Sequence, residues 1–334
     1  MVLEKVLAEL EPKWQRQGYG TIVGSSYASP RTLTHVGFAD DLTLVAKTWE
    51  SLKEMLLDLK AAMRKVGLNL HPEKCKVQTN VQSGMDPGLH DVGGGLKIKL
   101  LAEDEGLRIL GTAVALKNRT VLEVKERLAG GWKKFHALDQ LLLNKNASVK
   151  KRLKLFDSCV GSGVLWCNES WRLSQDEKRK IRSTQNTMMR KIVAVRVQNG
   201  ENWVEWVKRA TKITRRWAKE AGVRSWVKEH GKKKWEWAGH VQRRSEAQWV
   251  KKVTQWRDSQ WGAAQPQGGN AYARGGMRTH VRPGRRRWLR WEDPMRKYAA
   301  LRHIGEWQDL CANSDEGRER WRTLGAKFAI WNDT

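Results

Sequence analysis

The chain has 334 residues, of which 63 are lysine or arginine and 36 are aspartate or glutamate, so its formal net charge is +27. Hydrophobic residues make up 40%, which is enough to fill one large core or two ordinary ones, and wholesale disorder is not expected. Four cysteines without a CxxC pair exclude a disulfide scaffold and a zinc ribbon. No apolar run approaches the ~18 residues of a spanning helix, and acids near the N-terminus argue against a signal peptide. We therefore expect an intracellular protein that is not secreted and that binds a polyanion, RNA or DNA rather than a membrane.

Charge divides the chain into two parts. Residues 1–127 contain 18 basic and 16 acidic residues, a net charge of +2, whereas residues 128–334 contain 45 and 20, a net charge of +25. Of the 19 tryptophans, only Trp14 and Trp49 lie in the first part. Two compositional regimes predict two functional regions.

The first part is predicted to mix helices with short strands. Hydrophobic spacing predicts helices over residues 2–17 and 51–66, with Gly67 closing the second. Between them, period-two alternation predicts two strands around an acidic turn within Thr32–Ala46. The glycine-rich stretch 85–95 predicts a loop. Further strand candidates are residues 74–79, 96–101 and 107–116.

The second part is predicted to be almost entirely helical. Long periodic segments cover residues 121–143, 148–168, 175–195 and 202–228. The stretch 262–284, rich in Gly, Gln and Pro, predicts a flexible loop before two or three short closing helices. Because their spacing is helical, four tryptophans are expected to pack in the core: Trp203, Trp217, Trp249 and Trp256.

The tetrad Phe38-Ala39-Asp40-Asp41 is the strongest candidate for chemistry. Adjacent carboxylates repel each other at a hairpin tip, and an oxygen-seeking divalent cation such as Mg²⁺ removes that cost. Two such ions can activate a 3′-hydroxyl and stabilise a leaving phosphate. For the bare Asp-Asp pair, a solvated acidic turn is the alternative.

Two later segments follow the tetrad and its helix: Gly67–Val77 (GLNLHPEKCKV) and Leu107–Thr112 (LRILGT). In this order the three motifs resemble the reverse transcriptases of non-LTR retrotransposons. The resemblance implies that Asp40 and Asp41 are catalytic, Mg²⁺-binding aspartates of the palm. It implies Lys74 as a catalytic proton donor to pyrophosphate, with a surface lysine as the alternative. Leu107–Gly111 would grip the primer end, or form plain sheet core.

The resemblance implies an RNA-directed DNA polymerase that acts on RNA and DNA, with dNTP as its only small-molecule partner. The family's third carboxylate lies on an upstream strand that has no counterpart before the tetrad, so we expect an N-terminally truncated, nuclear protein that is inactive alone. The alternative is a non-catalytic, sequence-independent nucleic-acid-binding protein.

The expected fold is α+β: a partial palm of antiparallel hairpin sheet with helix (1–118), a helical thumb-like region (119–200), a basic Trp-rich helical extension (201–261), the flexible loop (262–284) and a basic helical segment (285–334).

The C-terminal half carries the candidates for nucleic-acid binding. Segments Trp235–Arg244 and Arg282–Asp293 also resemble this family, which supplies no catalytic role for them. Lysine and arginine bind phosphates without reading sequence, and exposed tryptophan stacks on bases. For Trp288 and Trp291, packing in the core is the alternative. His240 and the cysteines lie at no recognised metal-ligand spacing. The candidates are Arg215, Arg216, Arg243, Arg244, Arg285, Arg286, Arg287 and Trp288.

Overall fold

The computed structural model describes residues 2–23, 31–79, 86–115, 119–255, 291–311 and 314–333. Small, mainly antiparallel sheets with helices come first and a helical region follows, so the predicted α+β class is confirmed. The chain divides into two compact units: Met1–Leu122 with Ser245–Arg274, and Glu123–Arg244 with Gly275–Thr334. None of the helices in the described ranges is both long and apolar enough to cross a membrane.

The elements before residue 115 form the main part of the first unit. Their strands pair in four small sheets, all antiparallel except the β5–β7 pair. In chain order they are α1 (Val2–Arg16), β1 (Thr21–Val23), β2 (Arg31–Leu33), β3 (His35–Phe38), β4 (Asp41–Leu44), α2 (Trp49–Lys65), β5 (Lys76–Val77), β6 (Gly88–Gly93), β7 (Leu96–Leu100), β8 (Leu107–Ile109) and β9 (Thr112–Val114).

Helix α2 forms the centre of the first unit. One side packs Met55 and Leu59 against α1, where Trp14 is fully buried. Its other side packs Leu56 against β6 and β7, through Val92, Leu96 and Ile98. A helix with apolar residues at spacings of three and four can serve two such neighbours, because its apolar stripe is wide.

One loop prediction and two strand predictions in this unit need correction. The stretch 85–95 is not a plain loop, because Gly88–Gly93 is strand β6 and pairs with β7. Gly94 and Gly95 both have positive φ (59° and 74°), the pattern of a type I′ hairpin turn. Within the segment predicted as one strand, residues 107–114 form a hairpin that turns at Leu110 and Gly111, and the segment 74–79 contains only the two-residue strand β5.

The elements after residue 118 are helical. A π-helical turn, Asp157–Gly161, interrupts one of them. In chain order the helices are α3 (Arg119–Ala137), α4 (Asp139–Leu142), α5 (Val149–Phe156), α6 (Ser162–Val164), α7 (Gln175–Val193), α8 (Trp203–Ala221), α9 (Trp226–Gln242), α10 (Trp249–Gln255), α11 (Asp293–Arg302) and α12 (Asp315–Asp333).

The long helix predicted over 202–228 is in fact two helices. Gly222 adopts a left-handed conformation (φ 70°) that ends α8, and the Ser225 side chain accepts from the Lys228 amide to begin α9. Between them, Arg224 donates from Nε to Asp157 at 2.8 Å. The break therefore fixes the start of α9 against the π-helical turn.

The second unit has two hydrophobic clusters. The first surrounds Phe135, Phe156 and Trp226, and the second joins α9 to α11 and α12. In the second cluster the rings of Trp235 and Trp321 stack with centroids 4.2 Å apart. Close approach of α9 and α12 requires Gly239 and Gly325, which face these rings.

One of the four tryptophans expected in the core is exposed. Trp217 packs against the first cluster and Trp249 is half-buried, but Trp203 is 71% exposed. Trp203 is the first residue of α8, and the apolar stripe of this helix continues past the end of the core. The centroids of the Trp203 and Trp206 rings lie 4.8 Å apart. Trp256 lies outside the described residues.

Candidate functional site: the acidic hairpin and the basic helices

The acidic hairpin, residues 35–44, has a two-residue tip. Phe38 and Asp41 are the last paired residues, so Ala39 and Asp40 form the turn. Ala39 has φ 54° and Asp40 is not among the positive-φ residues, a pattern typical of a type II′ turn. A positive φ at alanine is strained, and the paired strands on either side hold it there.

The two faces of this hairpin differ. Leu42 and Leu44 lie on one face and pack against the α1–α2 core. Val36 and Phe38 share the other face with Asp41 and are 56% and 66% exposed. The predicted hairpin with solvent-accessible Asp40 and Asp41 is confirmed. The face that carries Leu42 and Leu44 is the half-buried one.

Asp40 and Asp41 form only part of a Mg²⁺ site among the described residues. Asp40 and Asp41 are oxygen donors of the kind that Mg²⁺ prefers. Within the described ranges, no group of three or more His, Cys, Asp or Glu side chains could hold a metal. Asp58, an acid of the neighbouring helix, is bound by Lys13 Nζ at 2.6 Å and by Trp14 Nε1 at 3.1 Å. Among the described residues, Asp40 and Asp41 therefore have no third ligand of this kind beside them.

Lys74 lies on another element of the first unit. It is the last residue of a 3₁₀ turn, Pro72–Lys74, and its side chain is exposed. The described contacts do not join it to Asp40 or Asp41. Its role as a proton donor stays a prediction.

Helix α8 carries a row of cations opposite its buried side. Ala210, Thr214, Ala218 and Ala221 are buried, which is the spacing of one helix face. The opposite side, here named the basic face of α8, is exposed and includes both sequence candidates on this helix. It consists of Lys208, Lys212, Arg215, Arg216 and Lys219.

Arg209 of the same helix serves a different purpose. Its Nε and Nη2 donate to the two carboxylate oxygens of Glu201, each at 2.7 Å, and Nη2 also donates to the Arg196 carbonyl at 2.8 Å. Hydrogen bonds from Arg209 lower the pKa of Glu201 to about 2. A bidentate pair of this kind fixes geometry, so Arg209 holds the loop before α8.

The segment Trp235–Arg244 has a buried side and an exposed side. Trp235, Gly239 and Val241 are buried, while Trp237, His240 and Arg244 are exposed. The Trp237 and His240 rings stack with centroids 5.4 Å apart. Arg244 donates to His240 Nε2 from Nη2 at 2.8 Å and from Nε at 3.2 Å. The spacing of three and four residues between Trp237, His240 and Arg244 is the sequence signal that indicates this array.

The other arginine candidates differ in position. Arg243 is half-buried beside Gly239, where an added Cβ would lie 3.0 Å from its Nη1. For Trp291 the packing alternative holds, because it is half-buried and its Nε1 donates to the Glu169 carbonyl at 2.8 Å. Four candidates lie outside the described residues: Arg285, Arg286, Arg287 and Trp288.

A buried basic pair lies beneath this region. His230 is fully buried, and its Nε2 donates to the Trp171 carbonyl at 3.2 Å. Lys234 Nζ donates to the same carbonyl at 2.6 Å and lies 4.8 Å from the centre of the Trp291 ring. Burial, with Lys234 nearby, lowers the pKa of His230 to about 3. His230 is therefore a neutral core residue at physiological pH.

Comparison with known proteins supports the motif-based resemblance. Residues 1–114, about a third of the chain, match the family model described as reverse transcriptase (RNA-dependent DNA polymerase). The chain is also similar to a transposon-derived protein of Caenorhabditis elegans, with 26% identity over 232 residues, covering 69% of this chain and 79% of the relative. No solved structure matches it. The resemblance to the reverse transcriptase of a retrotransposon is thus confirmed, and residues 1–114 carry the family match.

Proposed function

We propose that this chain supplies the late palm and the following helical region of a non-LTR retrotransposon reverse transcriptase, and that residues 1–334 by themselves hold nucleic acid without extending it. The observation that carries the proposal is the hairpin with Asp40 and Asp41 exposed at its tip, inside the segment that matches the reverse-transcriptase family. The order of hairpin, helix α2 and hairpin β8–β9 agrees with the motif order of that family.

In such an enzyme, bound Mg²⁺ would stabilise the charge of the reacting phosphates. Asp40 and Asp41 are the residues of this chain that would hold it. The strained turn at Ala39 and the packing of Leu42 and Leu44 orient the two carboxylates. Two carboxylates from one hairpin do not hold two ions in line for displacement, which is the reason to expect binding without extension.

A second function, sequence-independent nucleic-acid binding without catalysis, is favoured by the basic face of α8. Exposed lysines and arginines in a row neutralise phosphates, and this contribution to affinity is the same for every sequence. The face lies in the part of the chain with net charge +25. Both functions imply RNA or DNA as the partner, and with it a nuclear location.

One experiment tests both functions. An RNA template annealed to a DNA primer is mixed with the chain, Mg²⁺ and dNTPs, and both the shift of the primed template and the primer length are measured. We expect binding with no extension. Extension that Asp40→Asn abolishes would refute the expected inactivity and establish the polymerase function. Absence of both binding and extension would contradict both functions.

A further inference from the structure

The exposed side of α9 is not explained by the core. Trp235, Ala238, Gly239 and Val241 account for the packing of this segment in the second unit. Trp237 and His240 on its exposed side, with Arg244 just after its C-terminus, are here named the aromatic array. Trp237 is 40% exposed even though its ring stacks on His240. The exposed part of the Trp237 indole is therefore available to a ligand.

The array is ordered by its own contacts. The ring planes of Trp237 and His240 are 23° from parallel, and the Arg244 guanidinium donates to Nε2 of the imidazole. A guanidinium only donates hydrogen bonds, so Nε2 accepts and the imidazole is neutral. Partial burial, together with Arg244 and Arg243, lowers the pKa of His240, in agreement with this assignment. The two rings are therefore nearly parallel, and the imidazole is neutral where Arg244 donates to Nε2.

The charges around the array favour an anionic ligand. Two acids are close in sequence, and both are paired: Lys232 lies 3.9 Å from the Glu236 carboxylate and Lys251 lies 2.7 Å from that of Glu246. Lys233 donates to the Leu165 carbonyl at 3.2 Å and so has a structural role. Arg244 therefore supplies an exposed positive charge at one end of an aromatic surface. This combination matches a nucleotide, which has a flat base and a negatively charged phosphate.

We propose that Trp237, His240 and Arg244 bind an unpaired base of single-stranded RNA or DNA, with the base stacked on the indole and its phosphate near Arg244. The inference rests on the proposed function, because it takes nucleic acid as the partner. It goes further by assigning a preference for single strands. Bases inside a duplex are already stacked on one another, whereas unpaired bases can be taken up by aromatic side chains. The basic face of α8 binds phosphates, which single strands and duplexes both carry, and so gives no preference for single strands.

The test compares single-stranded and duplex binding by the full chain. Fluorescent oligonucleotides of about 12 nucleotides, single-stranded or paired, are titrated at one salt concentration. We expect Trp237→Ala to weaken single-strand affinity by about 5- to 150-fold, the range that stacking of one base corresponds to. Duplex affinity should change less than about twofold. The matched control is Trp203→Ala, which removes another exposed indole and should leave single-strand affinity within about twofold of wild type.

Two further measurements keep the result interpretable. Trp237→Phe retains an aromatic plane and should bind single strands within about fivefold of wild type, which separates stacking from any loss of folding. An oligonucleotide with abasic sites keeps the phosphates and should bind wild type and Trp237→Ala equally. Unchanged single-strand affinity in Trp237→Ala, or an equal loss from Trp203→Ala or on the duplex, would overturn the inference. Failure of the wild-type chain to bind either oligonucleotide would instead refute the proposed function.

Discussion

His230 shows how one buried residue couples this fold to pH. Its Nε2–H is satisfied by the Trp171 carbonyl, while Nδ1 is buried without a partner among the described residues. The ammonium of Lys234 contacts the same carbonyl, and Lys178 also disfavours a second positive charge there. The imidazole of His230 is thus neutral in the folded core, and it is protonated only when the core unfolds.

Stability should therefore fall as the pH is lowered. The unfolded histidine takes up a proton near its ordinary pKa of 6.5, whereas the folded one does so only at about 3. Between these values the unfolded chain binds more protons, so acid favours unfolding. Between about pH 7 and pH 4, we expect the Tm of the wild type to drop more than that of His230→Gln. The extra drop should be about 2–4 °C for each kcal/mol of unfolding free energy that depends on protonation of His230. Parallel Tm curves for the two proteins would contradict this account.

At the scale of elements, α9 and α12 interlock through tryptophans and glycines. A Cβ on Gly239 would lie 2.3 Å from Trp321 Nε1, and one on Gly325 would lie 2.6 Å from the Trp235 ring. Each helix therefore places a ring against a glycine of the other, and the rings stack. The Trp235 Nε1 donates to the Trp321 carbonyl at 2.9 Å, which fixes the register of the pair.

Adding one methyl group at this crossing should separate the helices. We expect Gly239→Ala to lower the free energy of unfolding by about 1–3 kcal/mol, the usual cost of overpacking a core. The matched control is Gly130→Ala in α3, where an added Cβ meets no heavy atom within 4 Å. That change should raise stability by about 0.5–1 kcal/mol, because alanine favours a helix over glycine. Denaturant unfolding measures the free energy of unfolding of both variants. An equal effect at the two sites would show that Trp321 does not limit the space at Gly239.

Local patterns predicted some elements, and contacts distant in sequence decided the rest. The acidic hairpin was predictable because its alternation and polar tip lie within ten residues. The strand β6 was not, because its flanking glycines are as typical of loops as of a type I′ turn. The end of α8 had readable signals in Gly222 and Ser225, but continuous apolar spacing concealed them. The stacking of Trp235 on Trp321 joins residues 86 positions apart, and no local pattern predicts such a pair.

For the whole molecule, the distribution of charge connects fold with function. The part with net charge +2 contains the acidic hairpin, and the part with net charge +25 contains the basic face of α8 and the aromatic array. Some cations are engaged within the fold, as Arg209 is by Glu201 and Arg224 by Asp157. The exposed lysines and arginines of α8 are available to phosphates, including Arg216, whose Nε lies 3.5 Å from the exposed Glu220 carboxylate.

The central claim is that this exposed charge holds nucleic acid, and the salt dependence of duplex-DNA binding tests it most directly. If about six phosphates are neutralised, log affinity should fall with log salt at a slope of about −5. Arg215→Glu with Arg216→Glu should make the slope shallower by about two. Arg320→Glu with Arg322→Glu, an equal charge change on exposed arginines of α12, should leave it nearly unchanged. An affinity that does not vary with salt, or a slope that responds equally to both pairs, would contradict the account.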